Sequence, residues 1–189
     1  MMHQAANDGA RELAELLLQL GRAAYAEGAG GDLSAAQWAA LRYFARANRF
    51  SRTVSGFAEF HATTRGTASQ TVKSLVNRGF LERARSERDG RSVLFKLTQS
   101  ARRHLRQDPF DALVRAAGRL NKRQLNDVTG ELRRVGQYLE VERDTATVGR
   151  CERCGHLLDD RGEYRCGLME EPLAEVELRE ICVRYRARS

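Results

Sequence analysis

The stretch Thr63-Thr64-Arg65-Gly66-Thr67-Ala68-Ser69-Gln70-Thr71-Val72-Lys73-Ser74-Leu75-Val76-Asn77-Arg78-Gly79-Phe80-Leu81-Glu82-Arg83 decides the fold class. Helical spacing puts Ala68, Val72, Leu75 and Val76 on one face and Arg65, Thr67, Ser69, Gln70 and Lys73 mainly on the other. Gly79 stops the helix, because glycine accepts the left-handed backbone that ends one. Residues 80–85 and 93–97 read as short strands. The polar link between them, 86–91, holds Asp89-Gly90, a hairpin signal. Upstream, Thr53 opens a shorter helical segment over 53–61. The order helix, turn, helix, strand, hairpin, strand predicts a winged helix-turn-helix.

In such a unit the second helix lies in the DNA major groove, with its N-terminal residues at the base edges. The polar face suits that task. Glutamine pairs with adenine in bidentate fashion, and serine or threonine serves bases or phosphates. Lys73 suits a phosphate. An ordinary amphipathic helix would carry the same two faces, so the hairpin tips the balance. Arg83, Arg85, Arg88 and Arg91 surround its tip, and arginine favours the negative potential of a minor groove or the DNA backbone. Asp89 is placed to pair with a nearby arginine and hold the tip in shape.

Further out the chain reads as helical. Residues 11–26 repeat leucine at 13, 16, 17 and 20, and 34–47 opens on Ser34 as a cap. Helices follow over 100–106, 110–120 and 122–143. In the last, Leu125, Val128, Leu132, Val135 and Leu139 are spaced 3, 4, 3, 4. That narrow seam pairs with another helix, although an intrachain core face has a similar pattern. The expected class is therefore mainly α with a small β-wing. It would dimerise through its N- and C-terminal helices and carry a small cysteine-rich C-terminal module. The expected boundary divides 1–147 from 148–189.

Charge distribution agrees with a nucleic-acid partner. The net charge is +7, and residues 42–106 hold fifteen Lys/Arg against four Asp/Glu. Residues 148–189 hold eight against nine. A localised basic segment is what a DNA footprint needs. No apolar run approaches the ~20 residues that span a bilayer, and residues 1–9 lack a signal-peptide core, so a cytoplasmic location is expected. No enzyme is expected: there is no glycine-rich nucleotide loop and no carboxylate constellation beside a nucleophile. A thiol or cluster enzyme and a non-specific DNA-architectural protein are the rival classes.

These residues resemble the MarR family of transcription regulators. The resemblance runs through Leu33-Ser34-Ala35-Ala36-Gln37-Trp38, the stretch from Thr63 to Arg83, Asp89-Gly90-Arg91-Ser92 and Leu97-Thr98, and covers roughly residues 11–143. It implies a homodimer whose paired reading helices contact a pseudo-palindromic operator, with repression as the first expectation. It also implies a DNA-contacting role for the wing arginine, Arg91, and a structural role for Asp89. Many members sense small aromatic molecules, but no residue here identifies such an effector.

All four cysteines fall in the tail: Cys151, Cys154, Cys166 and Cys182, spaced C-x2-C-x11-C-x15-C. In a reducing compartment such clustering points to a metal or redox site. Four thiolates suit an iron–sulfur cluster, [4Fe-4S] or [2Fe-2S], or alternatively Zn2+. A zinc ribbon ordinarily shows a second C-x2-C pair, whereas here Glu163 stands in the equivalent first position. A helix expected over 173–185 would supply Cys182, an asymmetry that favours the cluster. His156 is a neighbour able to replace one ligand. The expectation is a redox- or iron-sensing centre that acts on the dimer through a hinge near 145–149. A purely structural metal clip is the simpler rival.

Overall fold

A computed structural model describes residues 2–25, 33–85, 93–143 and 148–188. Helix α1 spans Met2–Tyr25, and α2 spans Ala35–Arg46. Ser34 caps α2 in a capping box: its hydroxyl accepts from the Gln37 amide, and the Gln37 side chain returns to the Ser34 N–H at 2.9 Å. Helices α3 (Val54–Phe60) and α4 (Arg65–Asn77) follow, each opened by a threonine, Thr53 and Thr64. Threonine is a good cap because its oxygen satisfies an otherwise unpaired helical N–H. Gly79 has φ +71°, as the end of α4 requires.

Strands β1 (Leu81–Arg85) and β2 (Val93–Leu97) pair antiparallel in the register Leu81 with Leu97 and Arg85 with Val93. The hairpin tip, with Arg88, Asp89 and Arg91, lies outside the described residues. Thr98 ties this wing to α4: its hydroxyl donates to the Gly79 carbonyl at 2.7 Å, and it also caps α5 (Gln99–His104). Helices α6 (Phe110–Ala117) and α7 (Lys122–Arg143) complete the helical part.

The main core lies between α2, α3, α4 and the wing. Trp38, Leu41, Tyr43, Phe44, Phe57, Val72, Leu75, Leu81 and Phe95 are all buried there. One side of α2 is clipped by an ion pair, Arg42 Nε to Asp108 at 2.8 Å, with both side chains largely covered. By contrast α1 and α7 keep their apolar seams open. Leu13, Leu16 and Leu20 are exposed, as are Leu125, Val128, Leu132, Val135 and Leu139.

The tail folds as a small β unit. Strands β4 (Leu157–Asp160), β5 (Glu163–Cys166) and β6 (Glu171–Leu173) form an antiparallel sheet in that order. The short strand β3 (Gly149–Arg150) pairs with β7 (Ile181–Cys182). The helix expected over 173–185 is therefore corrected: that stretch is β6, a 3-10 turn over Glu175–Arg179, and β7. The Ile181 carbonyl is taken by the Asn48 backbone N–H at 2.8 Å, a bond to another part of the chain rather than to a helical turn. Leu178 and Ile181 also bury into two different clusters, which no single helix face would allow. Cys182 thus comes from a strand, and the asymmetry that argued against a zinc ribbon loses its helical half.

Candidate nucleic-acid interface and cysteine pocket

Helix α4 turns two faces as its sequence requires. Ala68, Val72 and Leu75 are buried against the core, while Arg65, Thr67, Ser69, Gln70 and Lys73 are exposed. The outer face is thus free of the protein's own packing. Its orientation is held at both ends. The Gln37 amide donates to the Ser74 hydroxyl at 2.9 Å, joining α4 to the start of α2. The Phe80 N–H donates to the Leu75 carbonyl at 2.9 Å, and Thr98 holds Gly79. Thr64 accepts the Thr67 N–H at 3.1 Å, and the two hydroxyls lie 2.9 Å apart. Thr67 therefore has a structural partner as well as an exposed side. On β1, Arg83 and Arg85 are exposed beside α4.

The four cysteines are brought together. They are free thiols lining one small pocket walled by Phe50, Leu157, Leu168, Met169 and Leu173. His156 also lines it. Among the described residues, no group of three or more His, Cys, Asp or Glu side chains is arranged to hold a metal ion. The donor chemistry nevertheless fits a thiolate-bound centre: four sulfurs face one largely apolar space, and no carboxylate lines it. Cys151-Glu152-Arg153-Cys154 forms a tight turn, closed by the Cys154 N–H donating to the Cys151 carbonyl at 3.0 Å. Hydrogen bonding with the neighbouring Cys151 thiol brings the Cys182 pKa down against the opposing effect of burial. Shared protonation and burial push Cys151 up in turn.

Sequence reasoning missed the residues that join this pocket to the helical core. The Asn48 side chain donates to Cys151 Sγ at 3.6 Å, and the Ser51 hydroxyl accepts the N–H of Val183, the residue after Cys182, at 3.2 Å. Both are buried. Arg49 pairs with Glu177 at 3.1 Å, and Arg52 with Glu180 at 3.1 Å. The only sequence signal was charge: an arginine-rich stretch at 42–52 and an acidic run at 170–180.

Residues 31–92 match the MarR family model. That segment carries α2, α3, α4 and the first wing strand, β1, and is about a third of the chain. No curated protein sequence matches this chain. Solved structures share the fold. A Streptococcus pneumoniae FabT structure in complex with DNA is 22% identical with a TM-score of 0.51, covering 73% of this chain and 97% of FabT. An S. aureus MepR–DNA complex is 16% identical with a TM-score of 0.56, covering 68% and 94%. A Listeria innocua protein of unknown function is 16% identical with a TM-score of 0.55, covering 72% and 96%. The MarR-like match by sequence stops well short of the cysteine module. Among the described residues, no helix is long and apolar enough to cross a membrane.

Proposed function

We propose that this protein is a sequence-specific, double-stranded-DNA-binding transcription regulator of the MarR type, working as a homodimer. The observation that carries the reading is α4. Its inner face is locked into the core, and its outer face offers Arg65, Thr67, Ser69, Gln70 and Lys73 uncovered. A rigid helix with free donors and acceptors at its N-terminal half is what base readout in a major groove needs. The MarR match over 31–92 and the DNA complexes of FabT and MepR support it. The dimer is supported by the two open seams, on α1 and α7. A lone chain leaves leucines and valines of both in water, and burying them against a second copy is favourable at about 25 cal/mol per Å2. Binding to a duplex enriched from a random pool, compared with its scrambled sequence at several salt concentrations, tests this reading. A preference that persists as salt rises is expected. Equal affinities that collapse together with salt would mark an architectural protein instead.

For Cys151, Cys154, Cys166 and Cys182 the reading is an iron–sulfur cluster, sensing iron or redox state. It is supported by four thiols around one apolar pocket. When bound, such a group supplies a reversible change of charge and oxidation state. The chain's own part is to exclude water with Phe50, Leu168 and Leu173, to donate a hydrogen bond to sulfur from Asn48, and to hold the strand end beside Cys182 through Ser51. A structural zinc ion is the second reading, favoured by the three-stranded β unit. Metal and acid-labile sulfide assays after anaerobic purification separate the two. Zinc without sulfide rejects the cluster.

A further inference from the structure

The segment between α2 and α3 has two working faces. Toward the tail, the Asn48 N–H binds the Ile181 carbonyl, its side chain reaches Cys151 Sγ, and the Ser51 hydroxyl accepts the Val183 N–H at 3.2 Å. Arg49 adds the Pro172 carbonyl at 2.6 Å to its Glu177 pair, and Arg52 holds Glu180. Toward the reading head, the Ser51 carbonyl accepts the Tyr43 hydroxyl. The Arg52 carbonyl accepts the Phe95 N–H of the wing strand at 2.8 Å, and the Thr53 hydroxyl accepts the Gly56 N–H at 2.9 Å, capping α3. Helix α3 in turn packs on α4. One short stretch of backbone therefore holds the cysteine pocket on one side and the start of the helix-turn-helix and the wing on the other.

We infer that Asn48 and Ser51 are positioning residues of the cysteine site, and that the α2–α3 segment, rather than the link after α7, carries the state of that site to the DNA-reading head. This rests on the reading of the four cysteines as a responsive centre. The reason is geometric. A change at Cys151 alters the hydrogen-bonding demand on Asn48, and a shift of the strand end at Cys182 reaches Ser51 through the Val183 N–H. Asn48 also orders the turn itself, its side-chain oxygen accepting the Ser51 N–H at 2.9 Å. The side chain that feels sulfur is thus the one that shapes the entry to α3. Coupling of this kind is reciprocal, so loosening the segment must change the cysteines as much as the cysteines change the segment.

Two measurements on the full-length chain test this. In the first, amide exchange is compared between the anaerobic thiol form and the form loaded with ferrous iron and sulfide, or with zinc if iron is refused. Exchange at residues 47–53 and at Phe95 should change by about fivefold or more, the lower end of ordinary coupling between sites. Asn48→Asp keeps the acceptor for Ser51 and removes the donor to sulfur, so it should abolish most of that change. A change confined to 148–188, or one that Asn48→Asp leaves intact, overturns the inference. The second measurement needs no metal. The double variant Glu177→Gln with Glu180→Gln weakens the tether to Arg49 and Arg52. It should raise the reaction rate of the Cys151 and Cys182 thiols with an aromatic disulfide reagent by about fivefold. An unchanged rate overturns the inference. Failure to bind any metal would count against the cluster reading alone.

Discussion

Tyr43 and Gly56 show how little room single residues have in this fold. A Cβ on Gly56 would meet the Ser51 carbonyl and the Tyr43 hydroxyl, both of which are fixed by their mutual hydrogen bond. Gly56→Ala should therefore cost about 1–3 kcal/mol of stability, the usual range for overpacking, read as a lower urea midpoint. Tyr43→Phe removes the bond and should cost about 1 kcal/mol. Variants as stable as the parent chain would contradict that packing. Ionisation matters at His61. Burial between Phe57 and Phe60, helped by Arg42, lowers its pKa below the ordinary 6.5. The folded state then binds fewer protons than the unfolded one, so the stability His61 contributes is full above that ordinary value and is lost as pH falls from it through the lowered folded value. Between pH about 7.5 and about 5.5, His61→Gln should lose less stability than the parent chain; an equal loss would place the titrating group elsewhere. On α4, Gln70→Ala should weaken binding to the preferred duplex by ~1–3 kcal/mol and leave scrambled DNA unaffected. A uniform loss would mean Gln70 does not read bases. The two faces of α4 were legible because Ala68, Val72 and Leu75 alternate with polar residues at a helical period. The roles of Asn48 and Ser51 were not, because their partners Cys151 and Val183 lie more than a hundred residues away in sequence.

Among the elements, α2, α3, α4 and the wing strands lie close to where their sequence patterns put them, since caps and stops mark their ends: Ser34, Thr53, Thr64, Gly79 and Thr98. The tail was misread for a physical reason. Leu173, Val176, Leu178 and Ile181 have spacings compatible with a helix, but Leu173 and Leu178 bury in the cluster of the cysteine pocket, Ile181 buries in the main core, and Val176 stays in water. Periodicity carries information only where one face meets one partner. The α7 seam is the complementary case. Its 3, 4, 3, 4 spacing survives in the structure as a helix whose apolar residues are exposed among the described residues, as the proposed dimer requires. Leu132→Glu places a charge at the middle of that seam. It should convert a dimer to a monomer in sedimentation while leaving the helical content of the chain unchanged. A variant that stays dimeric would move the interface away from α7.

Taken as one fold, the cysteine module is built into the helix-turn-helix core rather than trailing from it. Ile181 joins the main core, and Ala47 and Ile181 form a β-bridge. The composition of the tail hinted at this only through charge, since an acidic stretch can neutralise arginines that would otherwise face DNA or water. Replacing Cys151, Cys154, Cys166 or Cys182 singly by serine should each lower bound iron and sulfide in the anaerobic protein, because all four line the same pocket. Full retention in any one variant would remove that cysteine from the ligand set. In the proposed regulator, two copies of α4 are presented together to one face of a duplex. A hydroxyl-radical footprint of the full-length protein on its enriched duplex measures that most directly. Two symmetric protected patches centred about 34–36 Å apart, one helical turn, are predicted. A single patch, or even protection along the duplex, would contradict it.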